Sequence, residues 1–442
     1  MISFLYLTKF ARYRFALTEG GSFNVTQSGQ DRVALQKKTL RVLVTGQVVA
    51  AAALSAAVTV GAFVIQDILG QDTPWGGVSS ATFTMGSAFM SQVLARKMSR
   101  KGRRVGLQYG YSMAIVGGLL AGFAVNRGSL PLFILGLFLY GAGQASNLLS
   151  RYAAMDLAAP EQRSQAMSYI LFGSTFGAVF GPVLIKPAED FGVDVFGWSL
   201  YTGPWIASAC FFGFALTNVA VRLRPDPLEV SGGLISQQGF GVVTPNLSAA
   251  LRTISGIRNA RVALSAMVIS QVTMVAVMTM TPVHLKLHGH EDVSPYVISL
   301  HIAGMYAFSP LVGKFTDRRG KLLSISVGGI LLVSATVMAA LAGEAATLLW
   351  PSLWLLGLGW SFGLIGGSSL LVESVPETSR VTVQGAADLM MSFCGGMAGF
   401  SSGFIRKAFG FPMLSNLGTA LAILLVIIGI RRLTTASRVL RS

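Results

Sequence analysis

The chain has 442 residues, of which 52% are hydrophobic and 12% are charged, and its formal net charge is +16. A soluble globular protein carries about 25% charged residues, so this composition excludes a water-soluble fold and indicates a helical membrane protein. The positive charge follows from membrane topology, as shown below, so a nucleic-acid partner is not predicted. The two cysteines, Cys210 and Cys394, lie in apolar segments and exclude a disulfide framework.

Apolar segments of membrane-spanning length follow one another along the chain. They cover residues 42–66, 75–95, 105–125, 130–153, 165–186, 200–221, 262–284, 294–313, 322–342, 346–372, 382–405 and 411–430. Twelve such segments predict an all-α membrane protein with both termini on the same side of the bilayer.

The longest polar interruption divides the spans into six and six. We predict a tail at 1–40, a six-helix bundle at 41–222, a linker at 223–260, a second six-helix bundle at 261–430 and a tail at 431–442. The basic N-terminal tail is interpreted as cytoplasmic, with an organellar targeting segment as the alternative. Leu247, Leu251, Ile254 and Ile257 have helical spacing, which predicts a short helix on the membrane surface.

Lys and Arg are distributed unequally between the two sets of loops. If the N-terminus is cytoplasmic, the outer loops hold five of the 34 basic residues: Arg127, Lys186, Lys286, Arg406 and Lys407. Because basic residues concentrate in cytoplasmic loops, this asymmetry predicts that both termini are cytoplasmic. We therefore expect a multi-pass protein of the inner or plasma membrane.

Two features recur at matching places in the two halves. The basic loop 95–104 follows the second span, and the similar loop 313–322 follows the eighth, 218 residues later. Glycines spaced four residues apart occupy the fifth and eleventh spans; these are Gly173, Gly177, Gly181 (followed by Pro182), Gly395, Gly399 and Gly403. Such a glycine row gives a smooth face for helix packing. The recurrence predicts duplicated six-helix units.

The loop Gly313-x-Phe-Thr-Asp317-Arg318-x-Gly320-Lys321 is similar to a loop motif of the major facilitator superfamily. The resemblance covers about residues 41–430. It implies twelve transmembrane helices in two pseudo-symmetric six-helix bundles, alternating access to a small-molecule substrate at the midplane, no enzymatic activity and no cofactor. We expect such a transporter to be a monomer in the lipid bilayer.

Both loops are predicted to act as cytoplasmic latches. The N-terminal copy departs from the motif, since Ala95 replaces the usual Gly and Ser99 the usual Asp. It keeps Arg100, Gly102, Arg103 and Arg104. These arginines need an acidic partner, for which Asp156 is the first candidate and Asp388 the second.

The fifth-span glycines with Pro182 resemble a signature of exporters and antiporters in this superfamily, which implies export of drugs or metabolites. The fourth span lacks the Arg that proton-coupled drug exporters often carry. Arg151 is placed near the cytoplasmic boundary, so proton coupling through that residue is not predicted.

The candidates for the substrate path are polar or flexible residues within the spans. They are Gln47, Gln271, Met274, Met278, His301, Met305, Trp360, Gln384 and Asp388. Asp388 is either a proton or cation site or a partner of the loop arginines. His301 either titrates near physiological pH or is structural. The methionines either line a cavity or pack in the core or against lipid.

Two alternatives to organic-molecule export remain. His284, His288 and His290 precede Glu291 and Asp292. These residues form a weak candidate site for a transition metal, which gives the hypothesis of a metal carrier. The alternative is that they are incidental surface residues. The second alternative to organic-molecule export is a sensor that has the same fold and does not transport. The sequence contains no phosphate-binding Gly-x4-Gly-Lys motif, so an ion gradient (protons are the candidate) or the substrate's own gradient is expected to drive transport.

Overall fold

The computed structural model describes residues 25–69, 77–233, 247–290, 293–343 and 346–439, which are helical apart from short turns. The chain divides into two compact units, Met1–Lys38 and Thr39–Ser442, and the packing described below lies within the second. Most of the predicted N-terminal tail, part of the linker and the last residues of the C-terminal tail lie outside the described residues.

The helices follow in chain order. They are α1 (Val25–Leu69), α2 (Gly77–Lys101), α3 (Arg103–Asn126), α4 (Leu130–Met155), α5 (Arg163–Val183), α6 (Ile185–Phe196), α7 (Thr202–Arg222), α8 (Pro227–Val230), α9 (Leu247–Gly256), α10 (Arg258–Leu287), α11 (Ser294–Tyr306), α12 (Ser309–Arg319), α13 (Lys321–Leu341), α14 (Leu349–Ser374) and α15 (Arg380–Val439).

Each predicted span lies on these helices. Within the described ranges, eight helical stretches are long and apolar enough to cross a membrane. The longest, Arg380–Thr434, contains a non-helical residue, Gly410, so α15 consists of two helices in series. α2 is more polar because Ser, Thr and Gly occupy many of its positions.

Proline and glycine explain where the helices break. The eighth predicted span divides into α11 and α12 just before Pro310, whose ring nitrogen cannot donate a helical hydrogen bond. Gly102 begins α3 with φ 89°, and Gly320 begins α13 with φ 95°. These two glycines are 218 residues apart, so the same backbone turn recurs in both halves, and it favours glycine because φ is positive.

We group the helices into two sets, which we call the N-half (α1 to α7) and the C-half (α10 to α15). Glycines allow close backbone approach inside each. A Cβ built on Gly136 of α4 would lie 3.0 Å from the Gly117 carbonyl oxygen of α3. A Cβ built on Gly359 of α14 would lie 3.0 Å from the Gly328 oxygen of α13.

The predicted linker helix forms as α9, but its apolar side packs on the protein. Ile254 is buried, and Leu247, Leu251 and Ile257 pack against the core. α9 lies against α10 and α15. The short helix is therefore confirmed, its apolar side is covered by neighbouring helices, and its position at the membrane surface stays a prediction.

The two halves meet at two interfaces. In the α5 interface, α5 packs on α11, α12 and α14 of the C-half. In the α15 interface, α15 packs on α2 and α4 of the N-half. We call the end of the helices that carries the turns 101–103 and 319–321 the basic end.

Candidate functional site

At the basic end of the α5 interface, Asp317 of α12 contacts the start of α5. Its two carboxylate oxygens accept hydrogen bonds from the backbone amides of Ser164 (3.1 Å) and Gln165 (2.8 Å). These amides belong to the first turn of α5, where backbone N–H groups have no helical partner and the helix dipole favours a negative charge. Asp317 therefore holds one half to the other.

Small residues allow this approach. A Cβ built on Gly313 would lie 2.7 Å from the carbonyl oxygen of Ser164, so any larger residue would push α12 away from α5. The Ser164 hydroxyl donates to the Ser369 hydroxyl of α14 at 2.8 Å, and Ser309 Oγ donates to the Ser168 carbonyl at 3.0 Å.

The other predicted latch residues of this loop have different roles. Arg318 is exposed, and the contact between the halves is made by Asp317 with backbone amides. Lys321 pairs with Glu373 at the end of α14, 2.9 Å away, both in the C-half. Gly320 supplies the positive-φ turn.

In the α15 interface, Arg103 links three elements and is fully buried. Its Nε and Nη2 donate to the carboxylate of Asp156 at 2.8 and 3.1 Å, and Nη2 also donates to Gln384 Oε1 of α15 at 2.9 Å. The prediction that Asp156 pairs with a loop arginine is confirmed. Burial raises the pKa of Asp156, and the positive charge of Arg103 opposes that rise.

Asp226, beyond the end of α7, positions Arg103. Its carboxylate accepts hydrogen bonds from the backbone amides of Arg103 (3.1 Å) and Arg104 (2.8 Å). It fills the space beside Gly102, where a Cβ would lie 2.5 Å from Asp226 Oδ2. Arg100 is exposed.

A second ion pair crosses the α15 interface deeper in the protein. Arg151 of α4 donates through Nη2 to Asp388 of α15, and both side chains are fully buried. The same Nη2 lies 3.1 Å from the Tyr152 hydroxyl, which donates to Asp388 at 3.4 Å. Arg151 is therefore buried between the two halves, and Asp388 pairs with Arg151 instead of a loop arginine.

This pair leaves polar atoms without partners. Nε and Nη1 of Arg151 and Oδ2 of Asp388 are buried and have no hydrogen-bond partner among the described residues. By contrast, three guanidinium nitrogens of Arg103 have acceptors, since Nη1 also contacts the Met98 sulfur at 3.7 Å. Buried donors without acceptors are costly, so the site around Arg151 is suited to receive another group.

The remaining polar candidates form two clusters, one in each half. Gln47 of α1 donates to Ser174 Oγ (2.8 Å) and accepts from Ser150 Oγ (3.1 Å), the neighbour of Arg151. In the C-half, Trp360 Nε1 donates to Gln271 Oε1 at 2.7 Å. The structure thus joins two predicted residues, Trp360 and Gln271.

The predicted histidine and methionine candidates in the spans lie in the packed core. His301 is fully buried, and its Nδ1 bonds to the Leu353 carbonyl at 2.8 Å, in agreement with a structural role. Met305 and Met274 are buried, and Met278 packs against the same core.

The described residues contain no group of three or more His, Cys, Asp or Glu that could hold a metal. His284 bonds through Nε2 to the Gly343 carbonyl at 2.8 Å and stacks on Phe411. His288 bonds to the backbone of His284, and the backbone amide of His290 bonds to Leu285. Glu291 and Asp292, the proposed acidic ligands, lie outside the described residues.

The two glycine rows pack on matching helices. Gly173, Gly177 and Gly181 of α5 face α1, where a Cβ on Gly177 would lie 2.7 Å from the Ala52 amide nitrogen. Gly395 and Gly399 of α15 face α10, with Gln271 Cγ 2.8 Å from a Cβ on Gly395. Gly403 faces open space, so the second row is shorter than predicted. Pro182 lies near the end of α5.

Comparisons with known proteins agree with this architecture. The family model of the Major Facilitator Superfamily matches residues 43–400. An uncharacterized MFS-type transporter of Bacillus subtilis (strain 168), YdeG, is 37% identical over 90% of this chain and 93% of its own. The riboflavin transporter RfnT of Brucella anthropi is 26% identical over 86% of this chain and 92% of its own.

A solved structure has a similar fold. The crystal structure of the human organic anion transporter MFSD10 matches 89% of this chain and 99% of its own with a TM-score of 0.71 and 14% sequence identity. The likeness confirms the predicted fold, twelve transmembrane helices in two pseudo-symmetric six-helix bundles.

Proposed function

Because this chain belongs to the Major Facilitator Superfamily, whose members are transporters and not enzymes, we propose that it exports small organic molecules by alternating access, driven by an ion gradient. The observation that carries this proposal is the composition of the two interfaces at the basic end. Polar contacts of Asp317, Arg103 and Arg151 join the halves there, and such contacts can be exchanged for water when the halves separate.

The moving units are the two predicted bundles, residues 41–222 and 261–430, with the linker 223–260 between them. In the conformation described here, the basic end is closed, because α12 contacts α5 and α15 contacts α4 at that end. Separation of these contacts opens a path from the basic end to the midplane, where substrates of this fold bind.

The basic end is the cytoplasmic end in this proposal, and the protein is a monomer of the inner or plasma membrane with both termini in the cytoplasm. The unequal distribution of Lys and Arg supports this orientation.

Two observations support export of small organic molecules. The glycine row of α5, with its exporter-like spacing, packs on α1 of the same half, which suits a rigid moving bundle. The relative named as a riboflavin transporter indicates a substrate of that general size. The metal-carrier alternative has no supporting cluster within the described residues.

Transport in proteoliposomes tests the proposal. The purified protein is reconstituted, and a panel of labelled organic anions, cations and neutral compounds is assayed with and without an imposed pH gradient. We expect at least one compound to move faster than in protein-free liposomes and to accumulate when the gradient is present. If no compound moves under either condition, the non-transporting sensor is the better interpretation.

Asp317→Asn is expected to impair turnover more than substrate affinity. The amide of Asn places N–H donors against the donors of Ser164 and Gln165, which weakens the closed state by about 1–3 kcal/mol. A loss of this size in the barrier corresponds to a kcat lower by about 5- to 150-fold, with KM changed less than about twofold. The exposed Glu377→Gln is the matched control, and equal kcat values for Asp317→Asn and this control would contradict the role of Asp317.

A further inference from the structure

We propose that Arg151 is the receptor for a negatively charged group of the substrate, so that the transported compounds are small organic anions and Asp388 releases Arg151 to them on taking up a proton. This inference rests on the proposed function and names its substrate class; because the anion and the proton cross together, export is driven by a proton gradient directed outward or by the substrate's own outward gradient. It starts from the one difference between the two buried arginines of the α15 interface, which is the number of unsatisfied N–H groups.

A guanidinium group cannot be neutralised by losing a proton in a protein, so a buried arginine needs an anion as long as water is excluded from it. Arg151 is fully buried, and its partner Asp388 belongs to the other half. When the α15 interface separates, the two must part. Asp388 can become neutral by protonation, whereas Arg151 keeps its charge, and a replacement anion is what allows it to be buried again without Asp388.

The unused hydrogen-bond donors of Arg151 suit the replacement of Asp388 by an anionic substrate. Arg151 uses Nη2 for both Asp388 and Tyr152, and its Nε and Nη1 have no acceptor among the described residues. A carboxylate or phosphate accepts two parallel hydrogen bonds from an arginine, a geometry that Asp388 leaves unused because one of its oxygens bonds and the other does not. An anionic substrate would satisfy donors that the resting pair leaves unsatisfied.

Uncharged polar groups next to Arg151 suit the rest of such a molecule. Ser150 and Gln47 form a hydrogen-bonded pair beside it, and Asn147 is buried one turn away on α4. These groups offer donors and acceptors without a second charge. The neighbouring Arg103 already has Asp156, so it does not compete for the substrate.

The charged and titratable groups around Asp388 come from two helices. α4 contributes Arg151 and Tyr152, and α3 contributes Arg103, which bonds to Gln384 one turn before Asp388. The polar groups that α2 and α14 contribute nearby are Ser91 and Gln92, beside Gly385, and Ser368, beside Tyr152, and all three are uncharged. The proton taken up during exchange is therefore assigned to Asp388.

Ligand binding to the purified full-length protein tests the inference. The probes are carboxylates paired with their primary amides, benzoate with benzamide and nicotinate with nicotinamide, and binding is read from the rise in melting temperature. We expect the carboxylates to bind and the amides not to bind. Because one proton enters with each anion, the apparent affinity should rise by up to about tenfold for each unit that the pH falls between 8 and 6.

Three variants give the controls. In Asp388→Asn, carboxylate binding should persist and lose its pH dependence. In Arg151→Gln/Asp388→Asn, which removes both charges and leaves no unpaired one, carboxylate binding should disappear. Lys186→Gln, an exposed change outside the interface, should bind like the parent.

The inference is overturned if the amides bind as well as the carboxylates, if neither carboxylate binds the parent or Asp388→Asn, or if binding persists in the double variant. The proposed function fails separately, when no labelled compound moves in proteoliposomes although the carboxylates bind. Transport of neutral or cationic compounds alone would keep the proposed function and overturn the substrate class.

Discussion

Asp388→Asn is expected to lower the free energy of unfolding by about 3–5 kcal/mol, because it leaves the Arg151 charge buried without a counter-charge. The same variant is expected to abolish accumulation driven by a pH gradient, since the carboxyl that exchanges a proton is gone. Unfolding is measured in mixed detergent micelles, and accumulation is measured in proteoliposomes with whichever compound the parent moves.

A double-mutant cycle separates the pair from its surroundings. Arg151→Gln leaves Asp388 unpaired and should lower the free energy of unfolding by a similar amount. Arg151→Gln/Asp388→Asn removes both charges and should recover much of that free energy. Accumulation driven by a pH gradient should be absent in all three. Additive losses in the double variant would mean that the two side chains do not interact.

The exposed pair Lys186–Asp190 on α6 provides the matched control. Both side chains are largely in solvent, so an ion pair there contributes little. Asp190→Asn should therefore unfold and transport like the parent. If it lost as much stability as Asp388→Asn, the effect of the latter could not be attributed to burial.

The sequence predicts the helices well because the bilayer imposes their length. Each span needs about 20 apolar residues, and polar turns between them are visible in a single sequence. The break at Pro310 interrupts a helix without changing the apolar pattern, so the sequence shows the eighth span as one segment and does not show its division into α11 and α12. The break at Gly410 falls between the predicted eleventh and twelfth spans, as expected.

The sequence predicts the site less completely, because contacts between distant helices depend on rotation and depth. Asp388, Gln384 and Arg103 are recognisable as polar groups within or beside spans, and the structure brings them into one network. Arg151 lies four residues before the end of α4, so the sequence alone indicates a position near the membrane boundary. Its burial follows from α15 packing over that end of α4, a contact that no local pattern predicts.

One signal could have found Arg151. A carboxylate two turns inside a span requires a partner, and Arg151 is a basic residue located one turn inside a span of the other half. Asp226 gave no such signal, because it follows α7 in the predicted linker and acts through backbone amides of α3. Capping of one helix by a distant residue leaves no periodicity in the sequence.

A disulfide across the α5 interface is expected to stop transport completely. Ser164 Oγ of α5 and Ser369 Oγ of α14 lie 2.8 Å apart, and a disulfide needs a sulfur–sulfur distance of about 2.0 Å, so cysteines at both positions can be joined with small adjustments. Since the serines belong to different halves, the bond would keep the basic end closed. Cys210 and Cys394 are replaced by Ala in this variant so that no other thiol reacts.

Transport by Ser164→Cys/Ser369→Cys before and after oxidation tests the separation of the two halves most directly. Mass spectrometry of the digested protein gives the fraction that is cross-linked, and each single-cysteine variant serves as a control for oxidation. We expect the cross-linked protein to transport no faster than protein-free liposomes and to recover when dithiothreitol reduces the bond. Transport at the parent rate by fully cross-linked protein would show that the basic end does not open, and would contradict alternating access through this interface.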